Sequence, residues 1–146
     1  MGSDAMAFAD TDVVDAQDIE YTGGKNGESS ALAIGTVVCL DLTAADGITF
    51  KLPSATNAGM VLGVLAEAVA AGAYTSKIVK RGVTNVLVLG HADSLAGGEL
   101  KAVAGQAYAT HSVAAPAINS YLPWCTILVT YVTTSAALKS CYVRVA

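Results

Sequence analysis

Apolar and polar positions along the chain follow the short period of strands, cut at regular intervals by turn residues. Thr36-Val37-Val38-Cys39-Leu40-Asp41-Leu42 reads as a strand introduced by Gly35, and Asp46-Gly47 marks the next turn. Ile48-Thr49-Phe50-Lys51-Leu52 alternates apolar and polar, as a half-buried strand does, and Pro53 stops it. Residues 60–69 are strongly apolar. Their Ala and Leu content makes helix the rival reading, but the interior Gly63 and a run of about ten residues favour a buried strand. After the turn Ala70-Ala71-Gly72, residues 76–83 form a cation-bearing strand with a bulge expected near Gly82, and Val86-Leu87-Val88-Leu89 forms a core strand closed by Gly90. Gly97-Gly98 turns the chain into a weak strand pair, 99–103 and 106–110, around Gly105. A loop over 112–123 is bounded by Pro116 and Pro123. Residues 124–132 predict the longest clear strand, and 141–145 a terminal one.

This punctuation begins only at residue 31. Residues 1–30 hold seven acids (Asp4, Asp10, Asp12, Asp15, Asp18, Glu20 and Glu28) against one base, Lys25. Their large apolar anchors are Met6, Phe8, Val13, Val14, Ile19 and Tyr21, and Gly23-Gly24-Lys25-Asn26-Gly27 reads as a flexible break. The chain therefore predicts an acidic N-terminal arm over 1–30 and one all-β domain over 31–146. That domain is expected to be an antiparallel barrel or sandwich of jelly-roll or β-tulip type. At an offset of 64 residues, 63–82 lies over 127–146 with Lys80 on Arg144, which reads as two hairpins built on one plan.

Composition narrows the function. The 146 residues are 53% hydrophobic and only 14% charged, so the body folds, and little charge is left to cover its surface. A charge-poor exterior points to a protein covered by partners, in an oligomer or a lattice. The net charge of −4 divides into −6 over residues 1–30 and +2 over residues 31–146, and so slight a positive balance is no dense basic surface, so a nucleic-acid partner is not expected. No apolar run reaches the roughly 18–20 residues of a membrane helix, so neither is a membrane partner. The acidic N-terminus does not read as a secretory signal.

The residues that carry chemistry are few. His91 and His111 have no HxH or HxxxH spacing and read as surface or turn histidines. Cys39, Cys125 and Cys141 form no CxxC pair and read as small buried hydrophobes. Cys125 with His111 is the one nucleophile–base pair to consider, but a thiol inside an apolar strand has a raised pKa and is inert. From Asp10 the calcium-loop pattern fails at its fifth, sixth and twelfth positions (Val14, Asp15 and Tyr21). Gly24-Lys25-Asn26 lacks the surroundings of a phosphate loop. No catalytic residue, cofactor or metal is expected, and the protein does not read as an enzyme. Lys77, Lys80 and Arg81 form the one basic cluster. It reads either as a solvated strand edge or as a contact for an acidic protein surface. Trp124 beside Pro123 reads as a core plug.

Two passages carry a family resemblance. One is Gly59-Met60-Val61-Leu62-Gly63-Val64-Leu65-Ala66-Glu67-Ala68-Val69-Ala70-Ala71-Gly72, continuing to Ile78-Val79-Lys80-Arg81-Gly82-Val83. The other is Leu95-Ala96-Gly97-Gly98-Glu99-Leu100-Lys101. Over residues 31–146 the chain resembles the small head-decoration, or capsid cement, proteins of tailed bacteriophages. The long acidic arm and the extension at Pro116–Pro123 depart from that pattern. The resemblance implies an all-β protein without an active site, made in the bacterial host cytoplasm and placed on the outer capsid surface of the virion. There it would stabilise the expanded shell by bridging subunits of the major capsid protein. It also implies self-association as a homodimer or homotrimer. Residues expected at capsid or protomer contacts are Val13, Val14, Ile19, Tyr21, Lys77, Lys80 and Arg81. The alternatives are another virion part, such as a head fibre base or tail component, and a small β-sandwich ligand-binding module.

Overall fold

A computed structural model describes residues 19–57, 60–92, 94–112 and 124–145. Among them there is no helix; the fold is all-β. The strands are β1 (Glu20–Asn26), β2 (Val37–Leu40), β3 (Thr49–Lys51), β4 (Val61–Leu65) and β5 (Tyr74–Leu89). They continue with β6 (Leu100–Ala102), β7 (Ala109–His111), β8 (Cys125–Ile127) and β9 (Ala137–Arg144).

Five strands close into a ring in the order β1-β3-β2-β4-β5 and back to β1. Four of the five pairings are antiparallel; β1 and β3 run parallel, with Lys25 opposite Thr49 and Asn26 opposite Phe50. β5 is 16 residues long and outruns the ring. Its second half pairs antiparallel with β9 from Arg81–Arg144 to Val88–Ala137, and β8 pairs with β9. On β5, Val88 and Leu89 also pair in parallel with β7, which pairs with β6. A bridge between Glu99 and Thr126 ties the start of β6 to β8. The two hairpins of the internal repeat, β4–β5 and β8–β9, are both antiparallel pairs.

Two buried clusters explain the apolar runs. Val38, Phe50, Leu65 and Ile78 meet in one, with Leu32 and Val69. Their chain neighbours Val37, Val64 and Val79 belong to the other, with Val86, Val88, Leu100, Cys125, Ile127, Cys141 and Val143. Successive side chains of a strand point to opposite faces. β2 and β4 are thus buried on both faces and read as continuous apolar runs rather than alternation, and on β5 the adjacent Ile78 and Val79 are buried in the same way. Each fully buried aliphatic side chain contributes about 1.5–3 kcal/mol, so the second cluster welds the added strands to the ring.

Three expectations need correction. Residues 20–26 are a barrel strand, although they were expected in the arm. The glycines there serve close approach rather than flexibility: a Cβ on Gly24 would lie 2.8 Å from the Ile48 carbonyl oxygen and 2.9 Å from the Phe50 ring. Asn26, fully buried, anchors this strand. Its Nδ2 donates to the carbonyls of Ser30, Val69 and Ala70, and its Oδ1 accepts from the Glu28 N–H.

The second correction concerns 124–132, which is strand only over Cys125–Ile127. Beyond it, the Tyr131 N–H donates to the Ser94 carbonyl and the Ala96 N–H to Thr130 Oγ1, so this stretch bonds a loop instead of a ladder. The longest strand is β5, in which 76–83 and 86–89 are one element. Third, the run 60–69 is strand only over Val61–Leu65; Val69 pairs separately with Leu32. The bulge expected near Gly82 falls at Lys80, where the register with β1 steps from Arg81 to Val79.

Candidate interaction surface

The register assembles charge at one place on β5. Glu20 of β1 and Arg144 of β9 both pair with Arg81, and the Val145 N–H donates to the Lys80 carbonyl. β9 thus ends where β1 begins. Directly opposed like charges oppose each other, and among the described residues neither guanidinium has an ion-pair partner. Of the expected contact residues, the structure brings Tyr21, Lys80 and Arg81 to this junction. Tyr21 is about half exposed, and Ile19 packs half-buried on the larger core. Lys77 is exposed but stands about 13 Å further along β5, beside Thr75, whose hydroxyl donates to Glu67 Oε2. Val13 and Val14 lie outside the described residues. Sequence reading missed Arg144 as a partner of Arg81, although the internal repeat had set it against Lys80.

From this junction a strip runs up the outer face of β5 and β9. Arg81 faces Arg144, Val83 faces Tyr142, Asn85 faces Ser140 and Leu87 faces Leu138. Their neighbours Gly82, Val86, Val88, Cys141 and Val143 are buried on the opposite face. Ile34 continues the strip, because the Leu87 N–H donates to the Gly35 carbonyl and Gly35 lies against the Leu138 side chain. Val83, Leu138 and Ile34 are 38% to 44% exposed.

A second apolar surface sits at the far end of the added strands. Leu95, Leu128, Val129 and Val132 are 40% to 55% exposed. They project from two segments joined by hydrogen bonds from Gly97 N–H to the Ile127 carbonyl, from Ile127 N–H to the Gly98 carbonyl, and from Ala96 N–H to Thr130 Oγ1. Backbone held in this way presents aliphatic side chains to water on a fixed frame. Nothing in the sequence separated Leu128, Val129 and Val132 from the strand predicted over 124–132.

The groups with chemical potential are engaged in structure. His91 and His111, read from sequence as surface or turn histidines, stack with ring centroids 5.2 Å apart and planes 13° from parallel. The Nδ1 of His111 is buried without a hydrogen-bond partner among the described residues. No group of three metal-ligating side chains exists among the described residues. All three cysteines are buried and unpaired, as expected. Burial pushes the Cys39 thiol up to about 12. Cys125 is raised by its contact with the Cys141 thiol and then by burial. Trp124, half-buried, packs on the same core, as a plug should.

A groove of about 400 Å³ opens at the rim of the ring, lined in part by Glu28, Asp41, Lys51, Ser54 and Asn57. Its polar groups already hold the loops. Glu28 Oε2 accepts from the Leu52 N–H, Asp41 Oδ1 from the hydroxyl and N–H of Thr43, and Asn57 Oδ1 from Ser54, while Asn57 Nδ2 donates to the Leu40 carbonyl. The Thr43 hydroxyl, ahead of other contacts, holds the Asp41 carboxyl below its usual range.

Neither a protein-family model nor a curated protein matches this chain.

Proposed function

We propose that this protein is a structural component of a tailed-phage virion, a decoration protein that binds the outer surface of the capsid and bridges major capsid subunits. The observation that carries the reading is the pairing of a closed, charge-poor barrel with aliphatic side chains held in water on a hydrogen-bonded frame. Leu95, Leu128, Val129 and Val132 are the clearest case. Removing such a surface from water gains about 25 cal/mol per Å² of apolar area. In a lattice, modest contacts at each copy sum across many neighbours. The resemblance of residues 31–146 to capsid cement proteins supports the same reading. Self-association as a dimer or trimer belongs to it, with the second apolar surface as the natural contact.

The test is binding to purified expanded capsids stripped of their decoration protein, with bound copies counted by gel densitometry and located by electron microscopy. The expected result is saturable occupancy at the local symmetry points, weakened at least tenfold by Leu95→Asp or Val129→Asp in variants whose circular dichroism is unchanged. Absence of bound copies at those points overturns the proposal.

A further inference from the structure

We infer that the outer strip of β5 and β9 is a docking surface for an extended segment of another protein. The segment places a carboxylate side chain over Arg81 and Arg144 and aliphatic side chains at alternate positions beyond it. This face is distinct from the apolar surface at Leu95 and Val129, so capsid binding through that surface is tested separately.

The first observation is where the arginines stand. Arg81 and Arg144 are the two arginines of the whole chain, and the register sets them directly opposite each other. Side chains so placed have Cβ atoms about 4.5–5.5 Å apart, and like charges there destabilise the strand pair. Both arginines are exposed. Neither forms an ion pair among the described residues, although Glu20 stands in the same row on the other side of Arg81. Two planar guanidiniums side by side, with no carboxylate of their own, make a forked receiver for one brought from outside.

The second observation is the surface that follows. Beyond the arginines the same face presents an apolar row (Val83, Tyr142), a polar row (Asn85, Ser140) and an apolar row (Leu87, Leu138). The rows come at two-residue steps, about 7 Å apart, and an extended chain repeats its side chains at the same interval. Strands packed on a sheet lie within about 30° of its own strands. A segment seated in this way meets the rows in turn with an acid, an aliphatic, a polar and an aliphatic side chain. The pairing of β5 with β9 is unbroken from Arg144 to Ala137, so the surface is already formed.

A second copy of this chain does not fit as the occupant. Neither β5 nor β9 contains an aspartate or glutamate. Two strips packed antiparallel would set the arginines of each on the apolar end of the other, and two packed parallel would set arginine on arginine. The carboxylate must therefore come from a different chain.

The test is selection of a displayed library of random peptides, about eight residues long, on the full-length protein, followed by fluorescence anisotropy of the enriched sequences. Enriched peptides are expected to carry aspartate or glutamate at one end and aliphatic residues at alternate positions after it. Their binding should weaken about tenfold in the Arg81→Glu/Arg144→Glu variant and in Leu138→Asp, each checked for an unchanged circular dichroism spectrum. In the unmodified protein, binding should also weaken several-fold on raising salt, because exposed charge pairs are screened. Failure to enrich any peptide, enrichment without acids, or binding indifferent to salt overturns the inference. Equal binding of the acidic end alone also overturns it, since the site would then take a bare anion. So does self-association of the free protein that Arg81→Glu abolishes, since a second copy would then cover the strip.

Discussion

Replacing Asn26 by alanine tests whether β1 is a true wall of the barrel. The side chain makes four hydrogen bonds, at 3.1, 3.1, 3.2 and 2.8 Å, to Ser30, Val69, Ala70 and Glu28. Two of the abandoned carbonyls keep another donor: Val69 accepts from the Leu32 N–H and Ala70 from the Ala73 N–H. The damage therefore concentrates on the Ser30 carbonyl and the Glu28 N–H, with the rest lost as net hydrogen-bond energy. At roughly 0.5–1.5 kcal/mol for each net bond, and somewhat more for a buried group left unpaired, Asn26→Ala should cost about 3 kcal/mol. That is a large share of the roughly 5–15 kcal/mol of a typical domain.

Urea unfolding followed by Trp124 fluorescence measures the cost as a lower midpoint at constant slope. Asn26→Asp sharpens the test. A carboxylate facing the Val69 and Ala70 carbonyls cannot donate, so its folded pKa must rise above the unfolded value. Stability of this variant should then fall as pH rises through the carboxylate range and recover on acidification, when the carboxyl again donates. A loss under about 1 kcal/mol for Asn26→Ala, or an Asn26→Asp variant equally stable at both ends of that range, would refute the reasoning.

Three further outcomes follow from the same structure. A methyl group on Gly90 would lie 2.1 Å from the Thr133 carbonyl oxygen and 2.7 Å from that of Tyr131, so Gly90→Ala should lower stability by about 3 kcal/mol in a thermal melt. The Asp46 carboxyl is held at about 2 by the Thr49 hydroxyl and then by the Ile48 and Thr49 N–H groups. Its folded pKa lies below the unfolded one, so its contribution is present above about pH 4 and disappears as pH falls towards 2; acid titration of Asp46→Ala should show a shallower loss over that window. With Cys39 pushed up to about 12 and all three thiols buried, an aromatic disulfide reagent at neutral pH should label the native protein only as fast as it opens, and three thiols at once in denaturant. Prompt labelling of one thiol in the native state would contradict that burial.

Much of the architecture was legible locally. The alternation of 48–52 became β3, the turn at Gly97-Gly98 led into β6, and the pair around Gly105 is the antiparallel β6–β7. The cysteines and Trp124 were placed correctly because burial of small thiols and large rings is a property of residue type. β1 was hidden because glycine has two uses, turning the chain and admitting a close neighbour, and local sequence does not separate them. The contact set was legible only in part. Of the expected contact residues, Tyr21, Lys80 and Arg81 lie at one junction, but Arg144 and the strip joined to them depend on a register between segments more than fifty residues apart.

By itself, then, the chain determined its class and its texture: strands instead of helices, inert thiols, a surface short of charge, and acid gathered at one end. These follow from period, side-chain size and ionisation, which each residue carries wherever it goes. Tertiary structure alone decided that β1 closes a ring through a parallel pair, that β5 serves two cores, and that His91 stacks on His111. It also decided that two arginines face each other at the doorway of the acidic arm. The reason is that strand pairing is chosen by how the whole sheet closes and buries both faces at once, and no short window of sequence contains that constraint.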